Sequence, residues 1–110
     1  MTTAPVVEKH YQLILWMLPK LAKFPRDQHF LLADRIERCL LDILNLLLRA
    51  AYSREKKDYL AEANFKLEET RYLLRISRDM KYLSLKEHHF ASVSLLEIGK
   101  MVGGWLKTGK

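Results

Sequence analysis

The 110 residues predict an all-α fold, an up-and-down four-helix bundle, and three observations carry that reading. Four glycines and three prolines leave little punctuation for the many turns that an all-β chain requires. Apolar residues recur at helical spacing, with Leu60, Leu67 and Leu74 seven apart. Corner signals fall at "FPRD" (24–27), "YSREKKD" (52–58) and Ser84, and no linker between them separates domains, so residues 1–110 read as one bundle. A composition of 49% hydrophobic and 29% charged residues is that of a folded protein, not a disordered one.

The first helix is expected from about Pro5 to Phe24, with Pro5 suited to a first turn. Pro19 lacks a backbone donor and crowds the preceding turn, so a kink or break near Leu18 is expected. The second helix is expected from about Asp27 to Tyr52, and 15 of the 22 residues from Phe30 to Ala51 are apolar or alanine. Asp34, Arg38, Asp42, Asn45 and Arg49 share a strip about 80° wide, which leaves an apolar arc of about 220°. That is more than one neighbour covers, and it suits a helix central to a bundle or one that also meets another subunit.

The third helix is expected from about Lys56 to Tyr82. Leu67, Leu73, Leu74 and Met80 are assigned to its core side. On the opposite side Arg71, Arg75 and Arg78 fall within roughly 60° of one another, and Tyr82 continues the row. Ser84 with Glu87 forms a capping-box signature that starts the fourth helix near Leu85. In its last part, "EIGKMVGGWLKTGK", Gly99, Gly103 and Gly104 each cost about 1 kcal/mol relative to alanine in a helix interior. Gly99 and Gly103 share a face at i, i+4, so close approach by another helix is expected there; a fraying tail is the plainer alternative.

Nineteen Lys and Arg against 13 Asp and Glu give a net charge of +6, which suits an acidic partner, nucleic acid foremost, or simply solubility. The single cysteine, Cys39, between Ile36 and Leu40, reads as a buried thiol in a reducing, cytoplasmic setting. The beginning of the chain shows no basic region followed by an apolar run, so no secretory signal is expected. The most apolar stretch, "CLLDILNLLLRAA", is too short and too interrupted to span a membrane.

Catalytic signals are lacking. The chain has no Glu-x-x-His pair, no HExxH, no GxGxxG, no GxxxxGK[ST] and no GxSxG. His88 and His89 are adjacent and point about 100° apart on a helix, so they share a metal poorly, and His10 and His29 are isolated. No enzyme activity, cofactor or metal is expected. The strongest local signal is the arginine row, where residues 71–81 hold Arg71, Arg75, Arg78 and Lys81 against Asp79, four minus one or +3. Tyr72 and Tyr82 add stacking surface of the kind found at single-stranded nucleic-acid sites. The competing reading is a solvated face in which Glu68 pairs with Arg71 and Asp79 with Arg75.

The stretches "PKLAKFPRDQHFLLADRIERCLLDIL", "RAAYSREKKDYLAEANFKLEETRYLLR" and "LEIGKMVGGWLK" together resemble the Avd family, the accessory variability determinants of diversity-generating retroelements, from about Trp16 to Lys107. The most specific parts are Phe24-Pro25-Arg26, the Tyr72 to Arg75 segment and the closing Ile98-Gly99-Lys100-Met101-Val102-Gly103-Gly104-Trp105-Leu106. Where that family often follows the corner with a basic residue and Thr-Leu-Gly, this chain reads Gln28-His29-Phe30-Leu31-Leu32-Ala33. The resemblance implies a four-helix subunit of a basic homopentamer, without catalytic residues. It also implies binding to the retroelement's reverse transcriptase and to RNA or DNA, in support of mutagenic copying of template RNA into cDNA. A related four-helix family is encoded by intervening sequences of bacterial large-subunit ribosomal RNA, and the Gly-Gly-Trp ending favours Avd. Arg71, Arg75, Arg78, Lys81 and Arg26 are then the expected partner or nucleic-acid contacts, and Gly99, Gly103 and Trp105 the expected packing positions. A purely structural basic oligomer is the rival reading.

Overall fold

The computed structural model describes residues 4–109; residues 1–3 and 110, which the one-bundle reading takes in, lie outside it. Four helices form, α1 (Pro5–Leu21), α2 (Asp34–Ala51), α3 (Lys57–Asp79) and α4 (Leu85–Thr108), and no strand occurs among the described residues. The chain is an all-α four-helix bundle, as the sequence predicts. α2 packs on α1 and α3, and α4 packs on α3 and α1, closing the bundle around one core. Its extents are 42 × 23 × 22 Å, and at 1.5 Å per residue α3 alone runs about 34 Å of that length.

The core repeats at helical spacing. Leu13, Met17 and Leu21 come from α1, Ile36, Leu40, Ile43 and Leu47 from α2, Leu60, Leu67 and Leu74 from α3, and Leu95, Ile98 and Val102 from α4. Each buried Leu, Ile or Met contributes about 1.5–3 kcal/mol relative to an exposed one. Thr70 and Ser77 are buried on the same face of α3, and their hydroxyls donate within the helix to the Lys66 carbonyl (2.7 Å) and the Leu73 carbonyl (2.8 Å). Cys39 is buried as expected, and burial together with nearby Glu69 holds its thiol above the usual range, which keeps it protonated and inert.

The capping box forms as the sequence predicts: the Glu87 N–H donates to Ser84 Oγ (3.0 Å), and the Ser84 N–H to the Glu87 carboxylate (2.9 Å). Elsewhere the boundaries differ. α1 runs through Pro19 without breaking and ends at Leu21. Pro19 is exposed and only two residues from the end, so the interrupted hydrogen bond lies on the solvent side, where it costs least. The expected start of the second helix at Asp27 resolves into a 3₁₀ turn (Arg26–Gln28) and a π turn (His29–Ala33) before α2 begins. Buried Phe24 anchors that corner, and the His29 imidazole Nε2–H donates to its carbonyl at 2.7 Å. α3 stops at Asp79 instead of Tyr82, because Lys81 turns left-handed (φ 65°) and the Tyr82 and Leu83 N–H groups both return to the Ser77 carbonyl. Met80 therefore leaves the core side to which it was assigned and is 56% exposed, while Leu73 is half-buried.

His10 lies entirely inside the bundle, where its Nε2–H donates to the Leu40 carbonyl of α2 at 2.8 Å. Burial holds its pKa below the usual 6.5, against the upward pull of that hydrogen bond. The unfolded chain thus binds the proton more readily than the folded one. Stability is fully present above pH 6.5 and falls as the pH drops from there towards the folded pKa. Thermal melts between pH 8 and pH 5 are expected to show this loss, at up to about 1.4 kcal/mol per pH unit for one group. His10→Gln, which keeps a donor but does not titrate, is expected to flatten the dependence.

Candidate partner and nucleic-acid interface

The arginine row forms on α3 but is not uniform. Arg71, half-buried, leans towards α4: its Nη2 donates to the Leu95 carbonyl (3.1 Å), while Nη1 pairs with Glu68 at 2.8 Å. Arg78 pairs with Asp79 at 2.9 Å, so the acid expected beside Arg75 is engaged elsewhere. Arg75 is exposed and makes no ion pair with a described residue, and Lys81 is likewise exposed and unpaired. The expected row of three arginines is thus divided: Arg71 and Arg78 are paired, and Arg75, like nearby Lys81, is free of ion pairs with described residues. Tyr82 leaves the row and packs its ring against Phe24, centroids 5.5 Å apart. This contact sets the 24–28 corner, with exposed Arg26, against the 80–83 corner that carries Lys81.

The packing positions also separate. A Cβ on Gly99 would stand 2.8 Å from Arg71 Nη2, so the space this glycine leaves is filled by a guanidinium from α3 and not by a helix backbone. Around Gly103 and Gly104 the space is open to 4 Å, and both are exposed. Among the described residues, the expected close helix approach at Gly103 is therefore absent. Trp105 is buried in the core, with the Lys56 ammonium 5.9 Å from its ring centre.

Two apolar surfaces were not expected as such, although Tyr72 on the second was expected as a stacking surface. Along the α1–α2 seam Tyr11, Leu15 and Leu41 are 44%, 47% and 46% exposed, beside half-buried Leu18, Leu44 and Leu48. Leu41, Leu44 and Leu48 are the edge of the 220° arc that α1 does not reach, so the arc was the signal. On the outer side of α3, Phe65, Tyr72 and Ile76 lie within about 40° of one another and are all exposed. Their i, i+7, i+11 spacing was legible, but the leucine heptad beside it drew the assignment.

The sequence model of a family described as bAvd-like matches residues 5–109. The chain belongs to the bAvd-like family. The match takes in all four helices and the three corners between them, in agreement with the Avd resemblance of the sequence. Among curated proteins, none matches. Among the described residues of this bAvd-like chain, no helix is long and apolar enough to cross a membrane.

The Arg71–Gly99 contact is testable by itself. Gly99→Ala gains about 1 kcal/mol of helix propensity but displaces the guanidinium from the Leu95 carbonyl. In the parent the two effects are expected to offset each other, whereas in an Arg71→Ala background the gain should appear in full. Urea unfolding of the four proteins measures the coupling, and an equal gain in both backgrounds would contradict the contact.

Proposed function

We propose that this protein is a non-enzymatic accessory factor of a diversity-generating retroelement. In this reading it assembles as a ring of several copies, five by the Avd resemblance, and binds the retroelement's reverse transcriptase and template RNA or cDNA. The observation that carries the reading is the coexistence, on one small bAvd-like chain, of uncovered apolar seams and cations without acidic partners. The seams on α1–α2 and α3 offer area for a second copy or another protein. Arg75, Lys81 and Arg26 offer charge to phosphates or carboxylates. A ring multiplies each weak contact, since the second and later contacts form at high effective concentration.

Arg71 and Arg78 are occupied within the chain, which favours the rival, a structural oligomer whose charge is incidental, for that half of the row. The test accordingly uses Arg75→Glu with Lys81→Glu. Both side chains are exposed, so helical circular dichroism and assembled mass should hold, with stability changing by about 0.5 kcal/mol or less. The reversal swings four charges per chain. Capture of the cognate reverse transcriptase is expected to fail, and nucleic-acid binding to weaken. The parent's affinity for single strands should fall with salt at roughly 0.7 logarithmic units per phosphate contact, and the double variant's less steeply. A variant that remains assembled and binds both partners like the parent sinks the reading of these cations.

A further inference from the structure

Opposite the Lys81 corner, at the other end of the bundle, the α2–α3 loop and the last turn of α4 enclose a cleft of about 310 Å³ lined by Arg54, Glu55, Lys56, Lys57, Leu60 and Lys107 among others. Arg54, Lys57 and Lys107 are exposed and form no ion pair with a described residue. Lys56 acts differently, since its ammonium donates to the Ala50 carbonyl (2.8 Å) and the Ser53 carbonyl (2.6 Å) and so closes the end of α2. That fixes the loop, and with it the backbone positions of Arg54 and Lys57, while Lys107 is carried by the last turn of α4. α3 starts here with no side-chain cap, which leaves its first N–H groups facing outward at the positive end of the helix. At this same end the indole N–H of Trp105 is buried without a protein partner. The opposing acids are Glu55 and Asp58, two against the four cations.

We propose that this cleft seats backbone phosphates of a nucleic-acid strand, a second contact separate from Arg75 and Lys81. The proposal rests on the nucleic-acid part of the reading above and adds the place and the chemistry. Convergent cations plus free helix N–H groups are the donors that phosphate oxygens accept from, and they read no base. A single carboxylate would use one cation, whereas this cleft offers three on long stems and opens to solvent, so a strand can pass along it. From Lys57 to Arg75 is 18 residues of one helix, about 27 Å, which is some 8 base pairs of duplex rise. A strand of four nucleotides therefore samples the cleft without reaching the other contact, while a long strand reaches both.

The test is titration of oligo-dT, four and thirty nucleotides long, into the full assembled protein, followed by amide chemical shifts and by affinity against salt. With the short strand, the amide signals of Lys57, Asp58 and Tyr59 are expected to move. Arg54→Gln, Lys57→Gln and Lys107→Gln together, with Lys56 left intact to hold the loop, are expected to weaken short-strand binding about tenfold or more. They are also expected to lower the long-strand salt slope by about 2, three contacts at 0.7 each. Arg75→Glu with Lys81→Glu should leave short-strand binding unchanged. With the thirty-nucleotide strand, loss in the cleft variant alone would uphold the cleft and sink the contact at Arg75 and Lys81. Loss in the Arg75 and Lys81 variant alone, or short-strand shifts that avoid the start of α3, would overturn the cleft and spare the reading above. Inorganic phosphate matching the short strand in affinity would also overturn it, since the cleft would then be a site for a free anion.

Discussion

The constraint on which this structure depends is the apolar arc of α2. A helix with apolar side chains over about 220° of its circumference cannot be covered by one neighbour, so it has to pack against at least two. α1 and α3 flank it, α4 closes the ring by bridging those two, and the His10 hydrogen bond to the Leu40 carbonyl fixes the α1–α2 contact. Salt bridges Arg35–Glu69 and Lys66–Asp42 border the other side, between α2 and α3. Such surface pairs contribute little energy, at most about 1 kcal/mol each, and the buried Ile36, Leu40, Ile43 and Leu47 ridge contributes far more. What α1 and α3 still leave bare is the Leu41, Leu44 and Leu48 edge. In the assembly proposed above, that edge is where a further copy would be seated.

Features set by neighbouring residues were legible in the sequence, and features set by other helices were not. The capping box needs only Ser84 and Glu87, and both its hydrogen bonds form. The heptad of Leu60, Leu67 and Leu74 gave the core side of α3 because periodicity is a property of that helix alone. Met80 broke the pattern because the left-handed turn at Lys81 ends the helix beside it, and nothing in the local sequence, such as a glycine, announced that turn. The second helix began later than expected because the route from Phe24 into α2 is fixed by a buried ring and a histidine–carbonyl bond.

The candidate site shows the same division. Three arginines at helical spacing read as equivalent, yet their partners make them different: Arg71 is held by Glu68 and the Leu95 carbonyl, Arg78 by Asp79, and Arg75 by no described residue. Gly99 signalled a close approach, which is found, but the approaching group is a guanidinium from a helix that begins 42 residues earlier in the sequence (99 minus 57). Periodicity places a side chain on a face; only the fold says what that face meets. The bundle therefore divides its basic residues: Arg71 joins α3 to α4, Arg78 is paired within α3, and Arg75 forms no ion pair with a described residue.

In the proposed assembly the uncovered α1–α2 seam is an interface between copies of this chain. Sedimentation velocity of the parent and of Leu41→Glu, at micromolar concentration, tests it most directly. A parent that sediments as one discrete oligomer of the 13.0 kDa chain, with a variant that keeps its helical dichroism but sediments as a smaller species, is the predicted result. A parent that runs as a 13.0 kDa monomer, or a charged variant that keeps the parent's oligomeric mass, would contradict the account.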